Sequence, residues 1–129
     1  MGHLLDEELA LRYRGKGMIG LEDVRVFFYL QPCDMRKQFD GLGILVREEM
    51  KRDPEDGELY LFRNRNRTLI KILFYDHGGH CLLAKRLSKG RFAIDVEAVE
   101  GAASATLSKQ DLAELLSSAR VINKVHNSA

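Results

Sequence analysis

The sequence predicts an α+β domain: an antiparallel sheet of consecutive hairpins, one helix after the first strand, and a closing C-terminal helix. Three observations predict it. Between residues 59 and 84, the apolar runs 59–62, 69–75 and 81–84 alternate with the polar breaks 63–67 and 76–79. Short runs rich in Ile, Leu, Phe and Tyr, broken by Asn or Gly clusters, form antiparallel strands joined by hairpins. Ahead of them, Met35, Phe39, Leu42, Val46 and Met50 recur at helical spacing. Behind them, Leu112, Leu115 and Leu116 offer a second inward helical face. Helices packed on one antiparallel sheet satisfy all three.

A chain of 129 residues suits one domain, and at this size folding buries about two-thirds of the unfolded surface. With 45% hydrophobic and 30% charged residues it has an ordinary soluble composition. No apolar run approaches the roughly 20 residues that cross a bilayer. The N-terminus is too acidic, and its apolar stretch too short, for a secretory signal. A cytoplasmic protein without a membrane partner is expected. Cys33 and Cys81 are widely spaced and lack a CxxC partner, so reduced thiols are expected rather than a disulfide or a zinc site.

Residues 1–17 read as an N-terminal extension or an expression remnant. A weak leucine stripe there is broken by Gly15 and Gly17, and Met18 can itself be a start. Residues 18–122 make the single domain, and 123–129 a frayed tail. In order, 24–30 is a strand covered on both faces, because its alternation is poor; Pro32 ends it. Asp34 stands where an N-cap belongs, and the helix runs to about Lys51. Gly41 and Gly43 inside it suggest a close approach of helix to sheet. The segment 53–57, with Pro54 and Gly57, is a turn. The hairpins follow, and a turn centred on Gly78 and Gly79 puts Lys71 opposite or diagonal to Lys85 and Arg86. Residues 92–96 add a further strand, 97–105 are small and flexible, and Thr106 or Ser108 caps a helix over 109–119.

Charge is unevenly placed. Residues 58–92 carry eight cations (Arg63, Arg65, Arg67, Lys71, Lys85, Arg86, Lys89, Arg91) against Glu58 and Asp76, whereas the other 94 residues hold 12 cations and 17 anions. Three guanidiniums within the turn 63–67 offer bidentate donors to phosphates, and Asn64 and Asn66 either reach base edges or make the turn. Taken alone, a solvated turn explains them; the five further cations of the same unit raise a polyanion surface to equal standing. Aromatic residues do not interleave with the basic ones, so base stacking on single strands is not indicated.

The cluster Asp76, His77, His80, Cys81 lies about one tight turn, with Cys33 the only distant soft ligand, and reads as turn polarity beside an inward thiol; no metal is expected. A metal nuclease needs gathered carboxylates, but Asp34 is accounted for by capping and Asp76 by the turn, leaving Asp40. No nucleophile elbow, phosphate-binding loop or HExxH pattern occurs. A helix N-terminus can activate Cys33, yet no His or Asn pattern supports a thiol enzyme. A non-enzymatic protein without cofactors is expected.

Four ordered motifs carry a resemblance. Asp34-Met35-Arg36-Lys37 with Phe39-Asp40-Gly41-Leu42 is the first. Leu59, the run 61–65, Arg67, Ile70, Lys71, Leu73 and Asp76 form the second. Cys81-Leu82, Lys85-Arg86-Leu87 and Gly90-Arg91-Phe92 form the third, and Leu107-Ser108 with Leu112, Leu115 and Leu116 the last. Together, over about residues 18–120, they resemble the TnpB accessory proteins of the insertion-sequence-sixty-six transposon family, which are distinct from the RNA-guided nucleases sharing that name. Residues 1–17 lie outside the pattern, and 92–105 lack its aromatic and Pro-rich continuation. The resemblance implies a role in transposition, beside a DDE-type transposase and the other proteins of the element, and supplies no catalytic residue.

The expected function is therefore a non-catalytic transposition accessory protein. It would bind DNA such as the transposon ends, or the transposase–DNA complex, through the basic hairpin face, with Arg36 and Lys37 extending that face. The alternative is a protein–protein adaptor or homo-oligomeric scaffold, built on an exposed edge at 24–30 or 92–96.

Overall fold

The computed structural model describes residues 24–94, 96 and 98–117. The expectations for 1–17 and 123–129 lie outside the described residues. Five strands are formed: β1 (Val26–Tyr29), β2 (Leu59–Arg63), β3 (Leu69–Asp76), β4 (Gly79–Arg86) and β5 (Ser104–Leu107). Two helices accompany them, α1 (Phe39–Ile44), continued by a π-helical turn over Leu45–Glu49, and α2 (Lys109–Ser117). The α+β class, the early helix and the closing helix are as expected.

The sheet order is β4-β3-β2-β1-β5. It is mixed rather than wholly antiparallel, because β1 runs parallel to β2, with Val26 beside Leu59 and Phe28 beside Leu61. A parallel neighbour requires a long crossover, and the 29 residues between Tyr29 and Leu59, which carry α1 and the 53–57 turn, provide it. β1 is thus an interior strand and not an edge. Its outer side is taken by β5, antiparallel, with Phe27 beside Thr106. That strand begins in the stretch expected to be flexible, 97–105, and runs on through Thr106, a candidate helix cap by sequence. Its Ala and Ser residues have little strand propensity of their own, and β1 supplies the pairing. Residues 92–94 and 96 form no strand; Phe92 is instead buried in the core.

Alternation along the strands sends side chains to two cores. On one face Val26, Phe28, Leu59, Leu61, Ile70, Ile72 and Phe74 pack with Leu112, Leu115 and Leu116 of α2. On the other, Phe27, Tyr29, Tyr60, Phe62 and Leu73 pack with Leu42, Val46 and Met50. β1 is buried along its whole length, which is why its sequence shows no polar alternation.

The β3–β4 turn sits one residue earlier than expected. Asp76 pairs with Gly79, so the two loop residues are His77 (φ 49°) and Gly78 (φ 81°), the doubly positive φ of a tight hairpin matched to strand twist. Lys71 consequently faces Ala84, with Arg86 on the diagonal, and Lys85 beside Ile70 points to the opposite face.

Asp34 does not cap α1. Its Oδ1 accepts from the backbone N–H of Arg36 at 2.9 Å, closing a local turn, and α1 begins only after Gln38, which makes no side-chain cap. Gly41 is explained by Lys37 rather than by the sheet: a Cβ there would meet the lysine stem at 3.1 Å. Ser108 does cap α2, its Oγ accepting from the Asp111 N–H at 3.0 Å.

Candidate nucleic-acid interface

Strand polarity sorts the charge. Because β2 and β4 end where β3 begins, the exits of β2 and β4 share one end of the sheet, and hydrogen bonds draw their loops together there. The Leu87 N–H donates to the Thr68 carbonyl at 2.8 Å, and the Phe92 N–H to the Arg67 carbonyl at 2.7 Å. Arg65 and Arg67 of the β2–β3 turn therefore lie beside the 87–91 loop with Lys89 and Arg91, and Arg86 stands at the last position of β4. The Cys33 N–H donates to the Arg63 carbonyl at 3.0 Å, so the segment bearing Arg36 and Lys37 starts at the same end before it crosses Lys71 toward Phe39, beside His80. Arg65, Arg86, Lys89 and Arg91 are exposed, and Arg63 and Arg67 half-buried.

The carboxylates gather at the opposite end, with Asp53, Glu55, Asp56 and Glu58 ahead of β2 and Asp76 closing β3. Their cations are engaged. Arg25 forms a two-point ion pair with Glu58, at 3.1 Å from Nε and 2.9 Å from Nη2, and Arg52 reaches Asp56 at 3.3 Å. Both guanidiniums lie over the Phe27 ring, at 5.3 Å and 4.1 Å from its centroid. At the basic end the described carboxylates are Asp34, already held by Arg36 at 2.6 Å, and Glu100 in the loop entering β5.

The cations differ in what they can offer. Lys71 is 6% exposed, and its Nζ donates to the carbonyls of Met35 and Lys37 at 2.7 Å and 2.8 Å. It ties the 33–38 segment to β3 and has no face toward a ligand. Sequence position contained this signal: Lys71 stands between Ile70 and Ile72, on the parity of Leu69 and Leu73, which places it under the helix lead-in. Lys85 is likewise turned inward, its Nζ donating to the Leu116 carbonyl in the last described turn of α2, where a cation complements exposed carbonyls; burial lowers its pKa. Arg63 donates through Nη2 to the Leu30 carbonyl at 2.9 Å. Its pKa is lowered first by burial and then by the charges of Arg67 and Arg65, a sign that the three guanidiniums are gathered rather than splayed.

The turn that presents them is held by side-chain hydrogen bonds. Asn64 accepts from the Thr68 and Leu69 N–H groups at 2.9 Å and 3.1 Å, and its Nδ2 donates to Thr68 Oγ1 at 2.8 Å. Asn64 is thereby committed to the turn, and Asn66 alone of the two asparagines is exposed. Arg67 takes a left-handed backbone, φ 61°, a conformation that costs a residue with a Cβ about 1 kcal/mol.

Neither thiol nor histidine gathers into a reaction centre. Burial raises the Cys33 pKa, against the lowering effect of Lys37, the opposite of an activated nucleophile. His77 pairs with Asp76 at 2.8 Å and His80 with Glu55 at 3.2 Å. Among the described residues no three His, Cys, Asp or Glu side chains converge as metal ligands, and no helix there is long and apolar enough to cross a membrane.

Fold and charge together define a small α+β protein whose mixed sheet has a basic and an acidic end. Residues 24–126 match the family described as IS66 Orf2 like protein, and the chain belongs to that family, the one its four motifs resemble. It is thus a transposition-associated accessory protein of the IS66 type. The uncharacterised protein y4hO of Sinorhizobium fredii is 41% identical over 96 residues, 74% of this chain and 81% of that one. A second uncharacterised protein of the same organism, y4jC, is 30% identical over 69 residues, 54% and 59% of the two chains. No solved structure matches significantly.

Proposed function

We propose that this accessory protein is non-catalytic and binds the phosphate backbone of DNA, free or within a transposase complex, through the basic end of its sheet. Arg65, Arg67, Arg86, Lys89 and Arg91 make the contacts, Arg36 and Lys37 flank them, and Lys71, Lys85 and Arg63 hold the surface in shape. The observation that carries this reading is the separation of charge along the strands. Cations from three sequence segments meet at one end with few carboxylates among the described residues to neutralise them, while the acidic end neutralises its own arginines. Guanidiniums on a hydrogen-bonded turn suit bidentate phosphate contacts, which position a protein on a duplex with little sequence preference.

The test is a fluorescence-anisotropy titration of labelled duplex, transposon-end and unrelated, at several salt concentrations. Each phosphate contact contributes about 0.9 to the slope of log K against log salt. Replacing Arg65 and Arg67 together by Ala is expected to weaken binding and lower the slope by about 2, equally for both duplexes. A slope that does not move removes these arginines from any DNA interface. The adaptor reading then takes over, and capture of the element's proteins that survives nuclease digestion would support it.

A further inference from the structure

We propose that β4 is the pairing edge of a symmetric dimer, in which two copies join their sheets antiparallel through β4 into one ten-stranded sheet. Among the described residues no strand lies on the outer side of β4, an eight-residue strand. A strand of that length offers a template of backbone N–H and C=O groups to a partner strand. The edges suggested by sequence, 24–30 and 92–96, are not available: β1 is interior, and the described residues of 92–96 form no strand.

Charge selects the occupant and its direction. β4 begins at the acidic end of the sheet and finishes at the basic end. A parallel neighbour would set like ends together, whereas an antiparallel copy sets each basic end beside the partner's acidic end. Parity makes this specific. His80, Leu82, Ala84 and Arg86 point to the same face as Tyr75, Leu73, Lys71 and Leu69, and a two-fold axis normal to the sheet at Leu83 preserves that face. Arg86 of one copy then stands opposite the partner's His80, within reach of the partner's Glu55, the carboxylate 3.2 Å from that imidazole. The same face carries Phe39, 44% exposed, its ring 6.4 Å from that of His80. In the dimer Arg86 passes from the phosphate contacts to the partner's Glu55, whereas Arg65 and Arg67, on the β2–β3 turn, are set back from the β4 edge and report DNA binding apart from the junction.

The test uses the full chain in sedimentation equilibrium with a charge-swap cycle. The unaltered protein is expected to show a concentration-dependent dimer. Arg86→Glu alone and Glu55→Arg alone each weaken it about tenfold, and the double variant R86E/E55R recovers it, because the swapped pair meets across the two-fold. Far-UV circular dichroism checks that each variant folds. Hydrogen exchange supplies a second readout: β4 amides lose protection on dilution of the unaltered protein. A protein that stays monomeric at high concentration, or a dimer untouched by either reversal, or singles that dissociate without rescue in the double, overturns the proposal. None of these outcomes bears on the salt slope of the R65A/R67A variant.

Discussion

Arg67 shows how one residue can set local stability against use. Its φ of 61° is one that glycine adopts freely, at the tip of a turn where Asn64 already supplies the hydrogen bonds. Arg67→Gly is expected to raise unfolding stability by about 0.5–1 kcal/mol in a urea titration, while weakening duplex binding at low salt. Stability that falls would mean the arginine side chain itself holds the turn. Lys71 is the opposite case, a cation kept for the fold. Lys71→Met preserves its length but leaves the part-buried carbonyls of Met35 and Lys37 without their donor, and an unsatisfied buried acceptor costs about 1–3 kcal/mol. A loss of about 3 kcal/mol in the urea midpoint analysis is expected, with Arg36 and Lys37 freed along with the segment. Both roles were hidden at the level of composition, where all lysines and arginines of 58–92 count alike. What separates them is place: Lys71 shares the parity of the buried Leu69 and Leu73 within β3, and Arg67 stands in the β2–β3 turn.

At the scale of elements, the hairpin strands and the two helices were legible because each carries its own periodicity and its own turn residues. β5 was not, since Ser104, Ala105 and Thr106 become a strand only when β1 offers an edge. The parallel partnership of β1 with β2 was also out of reach, because nothing local to either strand encodes which neighbour it takes. The join that fixes the crossover is polar. The Tyr60 hydroxyl donates to Asp56 Oδ2 at 2.6 Å and accepts from Arg52 Nε at 3.0 Å, tying β2 to the turn that follows the π-helical segment. Burial pushes the Tyr60 phenol well above its usual range, its hydrogen bond to Asp56 adds to this, and Arg52 opposes. The folded chain therefore holds that proton at pH values where the unfolded chain has released it. Stability is full below the ordinary tyrosine pKa of about 10 and falls as pH rises beyond it. Tyr60→Phe should lower stability by about 1–2 kcal/mol at neutral pH and flatten its decline between about pH 10 and 11. Part of that decline is expected to persist, because the Tyr29 phenol is also raised, chiefly by burial. A decline as steep as that of the unaltered protein would place the titrating group elsewhere.

Across the whole molecule the net charge of +1 conceals a dipole. Gathering Arg63, Arg65, Arg67, Arg86, Lys89 and Arg91 at one end carries a repulsive cost that the described carboxylates there, Asp34 and Glu100, relieve little, and an anion bound there would relieve it. A ligand that binds only the folded state stabilises it by RT ln(1 + [L]/Kd), about 2.7 kcal/mol at a hundredfold excess over Kd, which for a domain of this size corresponds to roughly 10 °C in Tm. Short duplex DNA or heparin is therefore expected to raise Tm at low salt. The increment should shrink as salt is raised toward 1 M, where screening acts within about 3 Å, and should be mostly lost in the R65A/R67A variant. Neutral polymer of the same length serves as the reference and should leave Tm unchanged. If the duplex shifts Tm equally in the variant and the unaltered chain, the polyanion sits on another surface. If neither duplex nor heparin shifts it while a transposase fragment does, the basic end is a protein contact, and the cations have been gathered for acidic side chains rather than phosphates.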